Sequence, residues 1–178
     1  DWNGARGIAV DDSGNVYVAG ELNDTADFDP GEGVYLRSAV YGFGYYIWKL
    51  DADGNFVWAR TATGAGGLTG GYDVAVDGAG NVYTTGLVHG EFDFSDSPLP
   101  PEIVPGTTDA TFVHKLAPDG RTLWIRKTEG PGQDRGYRLA VDRAGNVCTI
   151  GTLSGTTDFD PGPGVFELTD TAPGDRYV

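Results

Sequence analysis

The sequence predicts an all-β protein built from one four-stranded antiparallel unit that is repeated about three times. The segment GIAVDDSGNVYVAG at residues 7–20 returns as DVAVDGAGNVYTTG at 73–86 and as RLAVDRAGNVCTIG at 138–151. The three asparagines that mark the register, Asn15, Asn81 and Asn146, lie 66 and 65 residues apart. The chain also contains 29 glycines and 10 prolines, which is typical of short strands joined by tight turns.

The repeated segment reads as a β-hairpin, because two apolar runs flank an Asp-x-x-Gly-Asn turn in each copy. Aspartate closes such turns with its carboxylate, and glycine adopts the positive φ that a compact turn requires. The aspartates are therefore interpreted as turn formers. The residues are Asp11, Asp77 and Asp142, with Gly14, Gly80 and Gly145.

A second hairpin follows about 30 residues later. YYIWKLDADGNFVWAR at 45–60 matches TFVHKLAPDGRTLWIR at 111–126, with Asp-Gly as the turn in both. The equivalent positions of Trp58 and Trp124 favour packing between neighbouring units. The basic residues of this hairpin are expected to pair with nearby acids; they are Lys49, Lys115, Arg60 and Arg126. Each repeat thus supplies four strands, and no segment has the apolar spacing of a helix.

A period near 65 residues exceeds the roughly 40 to 50 residues of common propeller blades. The excess lies between the second and third strands, at 21–44 in the first copy. We predict a β-propeller segment with blades at 1–66, 67–131 and 132–178, the last one incomplete. Because a partial propeller exposes strand edges, further blades of the same polypeptide or self-association of partial propellers are the expected partners.

Several of these motifs resemble the bacterial SBBP-type β-propeller repeat. The resemblance rests on the first hairpins, on the DFDPGEG and DFDPGPG loops and on KLDADGNFVWAR. The first hairpin is also similar to the related NHL repeat, whose blades are shorter. The resemblance implies a binding or scaffolding module in a large bacterial protein that is secreted or displayed at the cell surface.

Twelve basic and 26 acidic residues give a formal charge of −14, which repels phosphate backbones and anionic headgroups. Nucleic acids are therefore excluded as partners, and no apolar run is long enough to span a bilayer. The single cysteine, Cys148, excludes an intrachain disulfide. It occupies the position of Tyr17 and Tyr83 in the other copies, which predicts buried packing.

The long connection, called the insert below, carries an acid-Phe-Asp triplet in each copy. The triplets are Asp27, Phe28 and Asp29; Glu91, Phe92 and Asp93; and Asp158, Phe159 and Asp160. In an extended chain the phenylalanine faces one side and both carboxylates the other, so these six acids are predicted Ca²⁺ ligands. The spacing lacks the late glutamate of an EF-hand. The alternative is that Asp29 and Asp160 form Asx-turns and that the phenylalanines anchor the insert.

The two histidines, His89 and His114, occupy non-equivalent repeat positions and are expected at the surface or in packing. No nucleophile elbow, phosphate-binding loop or Cys-His pair is present in the sequence. We therefore predict a non-catalytic scaffold that binds protein or polysaccharide. The alternative is a propeller enzyme that cleaves polysaccharide or peptide at the channel mouth with paired carboxylates.

Overall fold

The computed structural model describes the chain in nine segments, 3–39, 43–64, 69–90, 92–94, 103–104, 109–128, 130–160, 163–172 and 175–178. The first repeat contains β1 (Gly4–Val10), β2 (Val16–Leu22), β3 (Thr25–Asp27), β4 (Leu36–Ser38), β5 (Gly44–Leu50) and β6 (Phe56–Gly64). The second contains β7 (Thr69–Val76), β8 (Val82–Val88), β9 (Phe92–Asp93), β10 (Ile103–Val104), β11 (Ala110–Leu116) and β12 (Thr122–Lys127). The third contains β13 (Arg135–Val141), β14 (Val147–Thr152), β15 (Thr156–Asp158), β16 (Glu167–Thr169) and β17 (Arg176–Tyr177).

The main strands form one antiparallel sheet per repeat. The sheet orders are β1-β2-β5-β6 in the first repeat, β7-β8-β11-β12 in the second and β13-β14-β17 in the third. No helix occurs in the described segments. The prediction of an all-β protein with four-stranded blades, the last of them incomplete, is confirmed. We refer to the three sheets as blades 1, 2 and 3.

Each insert also forms a short hairpin of its own, which the sequence did not predict. The pairs β3–β4 and β15–β16 are two-stranded sheets. The hairpin β9–β10 instead pairs with β6 and extends blade 1 to six strands. The insert of blade 2 is thereby attached to blade 1.

The turn of the first hairpin follows the prediction. The Asp11 carboxylate accepts the backbone N–H groups of Ser13 and Asn15, both at 2.9 Å, and the Tyr17 hydroxyl at 3.0 Å. Gly14 has a φ of 83°, a conformation that residues with a Cβ rarely adopt. Burial works against ionisation of Asp11, but its hydrogen bonds, first that of the Asn15 side-chain amide at 2.7 Å, outweigh it and lower the pKa of the carboxyl.

The innermost strand of each blade, β1, β7 or β13, contains one extra residue that interrupts the ladder as a β-bulge. The bulges lie between Ala5 and Gly7, between Gly71 and Asp73, and between Gly136 and Arg138. Arg6, Tyr72 and Tyr137 are therefore the repeat-equivalent bulge residues. A β-bulge changes the direction in which its extra residue points its side chain.

The core lies mainly between the blades. Val74 on β7 and Leu139 on β13 are 4% and 9% exposed, whereas the equivalent Ile8 on β1 is 69% exposed. The difference arises because blades 1 and 2 cover the first two positions, while no other blade in the described segments covers Ile8. Burial of these apolar side chains against the neighbouring blade is the main stabilising term of the stack.

The prediction that Cys148 is buried is wrong, because its thiol-bearing side chain is exposed. Tyr17 and Tyr83 at the same repeat position are fully buried. The next blade covers each tyrosine, whereas the corresponding face of blade 3 has no blade against it within the described residues.

Candidate functional site: the inserts and the blade interfaces

The acids of the first insert close its loop. The Asp27 Oδ1 atom accepts the backbone N–H groups of Tyr35 at 2.8 Å and of Asp29 at 3.0 Å. These two hydrogen bonds, that of Tyr35 foremost, lower the pKa of Asp27. Asp29 accepts the N–H of Gly31 at 2.8 Å, which is the Asx-turn of the alternative interpretation.

The third insert repeats this arrangement. Asp158 accepts the N–H groups of Phe166 at 2.8 Å and of Asp160 at 2.9 Å, and these bonds lower its pKa. A Cβ placed on Gly164 would lie 2.1 Å from the Asp160 Oδ2 atom. The Asp160 carboxylate therefore lies directly over this glycine.

The strand pairing corrects the predicted register of the middle insert. Asp93 pairs with Ile103 as Asp27 pairs with Leu36. Asp93, not Glu91, is thus the equivalent of Asp27, and Phe94 replaces Phe92 as the equivalent of Phe28. The sequence contained the signal, because residues 27, 93 and 158 lie 66 and 65 residues apart, as the turn asparagines do. Glu91 lies outside the described residues.

The five predicted calcium ligands that the structure describes therefore lie in three separate inserts. Asp27 and Asp29 share one loop, Asp158 and Asp160 share another, and Asp93 lies on β9. Within the described part of the chain, no group of three or more His, Cys, Asp or Glu residues could hold a metal ion. Calcium binding remains a prediction. The predicted anchoring by the aromatic residue is confirmed for Phe28, which is 4% exposed and packs against Tyr46.

A tryptophan on the outer strand of blade 1 connects this blade to a turn of blade 2. The Trp58 Nε1–H donates to the Pro118 carbonyl at 3.1 Å, and the Arg60 Nε–H donates to the Gly120 carbonyl at 2.9 Å. Trp58 is only 6% exposed. The predicted role of Trp58 in packing between blades is confirmed.

The expectation that the basic residues of this hairpin pair with acids is wrong. Lys49 lies over the Tyr17 ring at 5.0 Å, and Arg60 lies over the Trp58 ring at 5.7 Å. Lys115 and Arg126 lie over Tyr83 and Trp124 in the same way. These cations contact aromatic faces, and those of blade 1 also contact backbone carbonyls in a turn of blade 2. Contacts with backbone carbonyls cannot be recognised from a sequence, because every residue has one.

The inserts of blades 2 and 3 each contact the preceding blade. On the backbone ladder, Phe92 of the second insert pairs with Gly64 at the end of β6. In the third insert the equivalent residue is Thr157, which lies close to Gly130. A Cβ added to Gly130 would be 2.8 Å from the Thr157 Oγ1 atom. Gly130 and Gly64 are also repeat equivalents, so the two inserts contact the outer strand of the preceding blade in the same place.

A buried aspartate supports this contact in blade 3. The Asp134 carboxylate accepts the hydroxyls of Thr157 at 2.9 Å and Thr128 at 3.3 Å, and the N–H of Ser154 at 3.1 Å. Asp134 is 1% exposed, and burial raises the pKa of its carboxyl. It joins the outer strand of blade 2 to the insert of blade 3. Sequence reasoning missed this residue.

His114 is a packing residue, as predicted. It is 1% exposed, its ring lies 6.0 Å from that of Tyr45 and 5.2 Å from that of Phe94, and its Nε2 atom lies 2.9 Å from the Thr122 hydroxyl. Burial lowers its pKa to about 3, so the imidazole is neutral. Its Nδ1 atom is buried without a hydrogen-bond partner, as is the Tyr45 hydroxyl.

His89 lies at the surface, as predicted. Its Nδ1 atom is 2.7 Å from the Asp109 carboxylate, and 43% of its side chain is exposed. Both histidines thus have environments that fit structural roles.

Two similarities to known proteins agree with this β-propeller architecture. The sequence model of the SBBP β-propeller repeat matches residues 5–23 and 57–93. These two segments are SBBP β-propeller repeats by that match. It is also 27% identical over 157 residues to a protein of Acanthamoeba polyphaga mimivirus named "Uncharacterized WD repeat-containing protein L264". That match covers 83% of this chain and 11% of the viral protein, so the chain spans about a tenth of its relative.

The SBBP repeats and the similarity to a WD repeat-containing protein support a repeat scaffold or interaction role. In the described part of the chain, no helix has the length and apolar character needed to cross a membrane.

Proposed function

We propose that this chain is part of a non-catalytic β-propeller scaffold in which each insert hairpin fastens its blade to the preceding one. The observation that carries the proposal is the pairing of β9 with β6, which makes the insert of blade 2 a strand pair of blade 1. Main-chain pairing of this kind depends little on side chains and gives a rigid connection. A rigid stack of blades is what a scaffold requires.

The contacts between blades involve equivalent residues at each junction. The Thr157 approach to Gly130 repeats the Phe92 approach to Gly64, and Asp134 accepts one hydrogen bond from Thr128 of blade 2 and two from Ser154 and Thr157 of blade 3. An enzyme built on a repeat fold usually breaks its symmetry at the reaction site. Here the acids recur with the blades and accept backbone amides, which supports a structural role.

The finer parts of the proposal concern location and partners. The resemblance to SBBP repeats supports a larger bacterial protein, secreted or displayed at the cell surface. Its partners would be further blades of the same polypeptide or partial propellers that self-associate, and its ligand a protein or a polysaccharide. The covered 11% of the viral relative agrees with a chain that works as part of something longer.

The fastening role is tested by Gly130→Ala. The new Cβ would lie 2.8 Å from the Thr157 Oγ1 atom and 2.9 Å from the Thr156 carbonyl oxygen, so the insert must shift away from blade 2. We expect faster amide hydrogen exchange in β13 and β14, with blade 1 unchanged. The matched control is Gly78→Ala, because nothing lies within 4 Å of a Cβ at Gly78.

Two results would contradict the proposal. The first is an amide hydrogen-exchange rate in blade 3 that is the same in Gly130→Ala and in the wild type. The second is turnover of a polysaccharide or peptide that disappears when one carboxylate, such as Asp158, becomes asparagine, because this would favour the enzymatic alternative.

Calcium stiffening of the inserts is the remaining part of the proposal. The measurement is the change in Tm between millimolar Ca²⁺ and chelator, for the wild type and for the double variant Asp27→Asn, Asp29→Asn. Both carboxylates also close the loop, so only the calcium-dependent difference is informative. A rise in Tm that the variant lacks supports calcium binding, and no rise in the wild type removes it from the proposal.

A further inference from the structure

An open pocket of about 500 Å³ lies along the innermost strands of the three blades. Its lining residues are Ala5, Arg6, Tyr72, Arg135, Tyr137 and Arg138. Ligand sites in proteins have volumes of roughly 300 to 1,000 Å³ and combine ring or aliphatic surfaces with a few well-placed polar groups. This pocket has both features, and none of its lining residues belongs to an insert.

The β-bulges place the key side chains of the pocket. Arg6, Tyr72 and Tyr137 are the bulge residues of β1, β7 and β13. The rings of Tyr72 and Tyr137 are stacked, with centroids 6.0 Å apart and an interplanar angle of 20°. Tyr137 is 41% exposed although it is a large aromatic residue. The repeat thus builds a continuous aromatic surface that solvent can reach.

The charge of the pocket is opposite to that of the chain. Three arginines line it in a protein with 12 basic and 26 acidic residues. Arg6 forms an ion pair with Glu21 at 2.9 Å. Among the described residues, neither Arg135 nor Arg138 has a carboxylate within ion-pair distance, and Arg138 donates to the Tyr137 carbonyl at 3.0 Å. Because Arg138 uses only its Nη1 atom in the described part of the chain, toward the Tyr137 and Tyr72 carbonyls, the other N–H groups of Arg138 and the Arg135 guanidinium can meet an external anion.

We propose that this pocket binds a carboxylate side chain of a protein partner, with the adjoining residues of the partner packed on the tyrosine rings. The planar guanidinium fork matches a carboxylate in two parallel hydrogen bonds. Tyrosine and arginine are also the residues that most often dominate protein interfaces. This inference rests on the proposed scaffold function and gives the partner a chemistry.

The rest of the surface argues for a short acidic segment and against a long polyanion. A chain with a net charge of −14 repels an extended string of phosphates or uronic acids along most of its length. A single carboxylate flanked by neutral or aromatic residues meets only the arginines and the tyrosine faces. Glu21 neutralises Arg6 and limits the pocket to one or two carboxylates.

The test measures binding of a capped peptide, acetyl-Gly-Asp-Phe-Gly-amide, to the whole chain by NMR titration. Its matched control is the same peptide with asparagine in place of aspartate. We expect shifts in the backbone amides of β7 and β13 with a millimolar Kd and about tenfold weaker binding of the asparagine peptide.

Protein variants locate the site. Arg135→Gln and Arg138→Gln are each expected to weaken binding of the aspartate peptide about threefold or more. Arg143→Gln removes the same charge from the turn between β13 and β14, away from the pocket, and is expected to leave the Kd unchanged. This comparison separates a local contact from the general charge of the protein.

Three results would overturn the inference: no shifts at millimolar peptide, equal binding of both peptides, or equal effects of all three arginine variants. Tighter binding of inorganic phosphate or glucuronate than of the peptide would also overturn it, because the pocket would then be a general anion site. The hydrogen-exchange experiment on Gly130→Ala is independent of this pocket, so the scaffold proposal and the ligand proposal can fail separately.

Discussion

Replacing Trp58 by phenylalanine should destabilise the protein more than the same change at Trp124. The two residues occupy equivalent positions, on β6 and β12. Trp58 is 6% exposed and its Nε1–H donates to the Pro118 carbonyl of blade 2. The Trp124 Nε1–H has no hydrogen bond within the described residues, and the side chain is only partly buried. The pair therefore isolates the contribution of the neighbouring blade.

The magnitude follows from the contacts that each change removes. At Trp58, a neutral hydrogen bond contributes about 1 kcal/mol, and the smaller ring leaves unfilled space in a buried position that costs about 1 kcal/mol more. At Trp124 only part of the second cost applies, so the loss should stay below about 1 kcal/mol. For a chain of this size, 1 kcal/mol changes Tm by roughly 2 to 4 °C.

The assay is thermal unfolding followed by circular dichroism, with urea unfolding to obtain the free energy. We expect Trp58→Phe to lower Tm by about 4 to 8 °C and Trp124→Phe by about half of that or less. Equal decreases would refute the reasoning, because they would mean that the contact with blade 2 adds nothing to an otherwise identical position. A larger decrease at Trp124 would refute it as well.

Three further predictions concern buried groups. His114→Phe should remove part of the loss of stability that acid causes between pH 6.5 and 3. The folded state keeps His114 neutral to about pH 3, so the unfolded chain gains a proton first and the free energy of unfolding of the wild type falls by up to about 1.4 kcal/mol per pH unit. Urea unfolding at several pH values measures this difference. Compared with the wild type, Asp134→Asn should be relatively more stable at neutral pH than at pH 4, because burial raises the pKa of Asp134 and its ionisation costs the wild type stability as the pH rises. If the difference in unfolding free energy between variant and wild type were the same at both pH values, this would be contradicted. Gly86→Ala should cost about 3 kcal/mol or more, because its Cβ would lie 1.8 Å from the Gly70 carbonyl oxygen, whereas Gly78→Ala should have little effect on Tm.

The sequence predicted the features that depend on neighbouring residues in the chain. The turn at Asp11 and Gly14 uses groups within six positions of Asp11, so its hydrogen bonds can be anticipated from the motif alone. The four-stranded blade followed from two hairpins that recur with the 66- and 65-residue spacing. The inter-blade role of Trp58 could also be inferred, because a residue that recurs once per blade faces the same neighbour each time.

The features that the sequence did not predict depend on contacts between blades. Cys148 was expected to be buried because its repeat equivalents are tyrosines, but a repeat position is buried only if another blade covers it. Arg60 was expected to meet an acid, and its partner is a backbone carbonyl. Asp134 escaped notice because its partners come from two other elements of the fold.

The insert hairpins were missed for a different reason. Their strands have only two or three residues, which is too short for an alternating pattern to be recognised. The error in register at Glu91 came from matching letters, acid-Phe-Asp, in place of matching the distance from the preceding turn. In a repeat protein the spacing is set by the sheet that every copy must build, so distance is the more reliable guide when the two disagree.

The insert hairpins also explain how a chain with a net charge of −14 can stack its blades. Acids that close loops, such as Asp27 and Asp158, are held by backbone amides, and this keeps their charge in ordered loops where water can still screen it. The surfaces between blades consist mainly of rings, glycines and main-chain pairing, and the acid Asp134 at the second junction accepts hydrogen bonds from Thr128 and Thr157. Because most of the cohesive contacts between blades are uncharged, charge on the outer surface can increase solubility without weakening the stack.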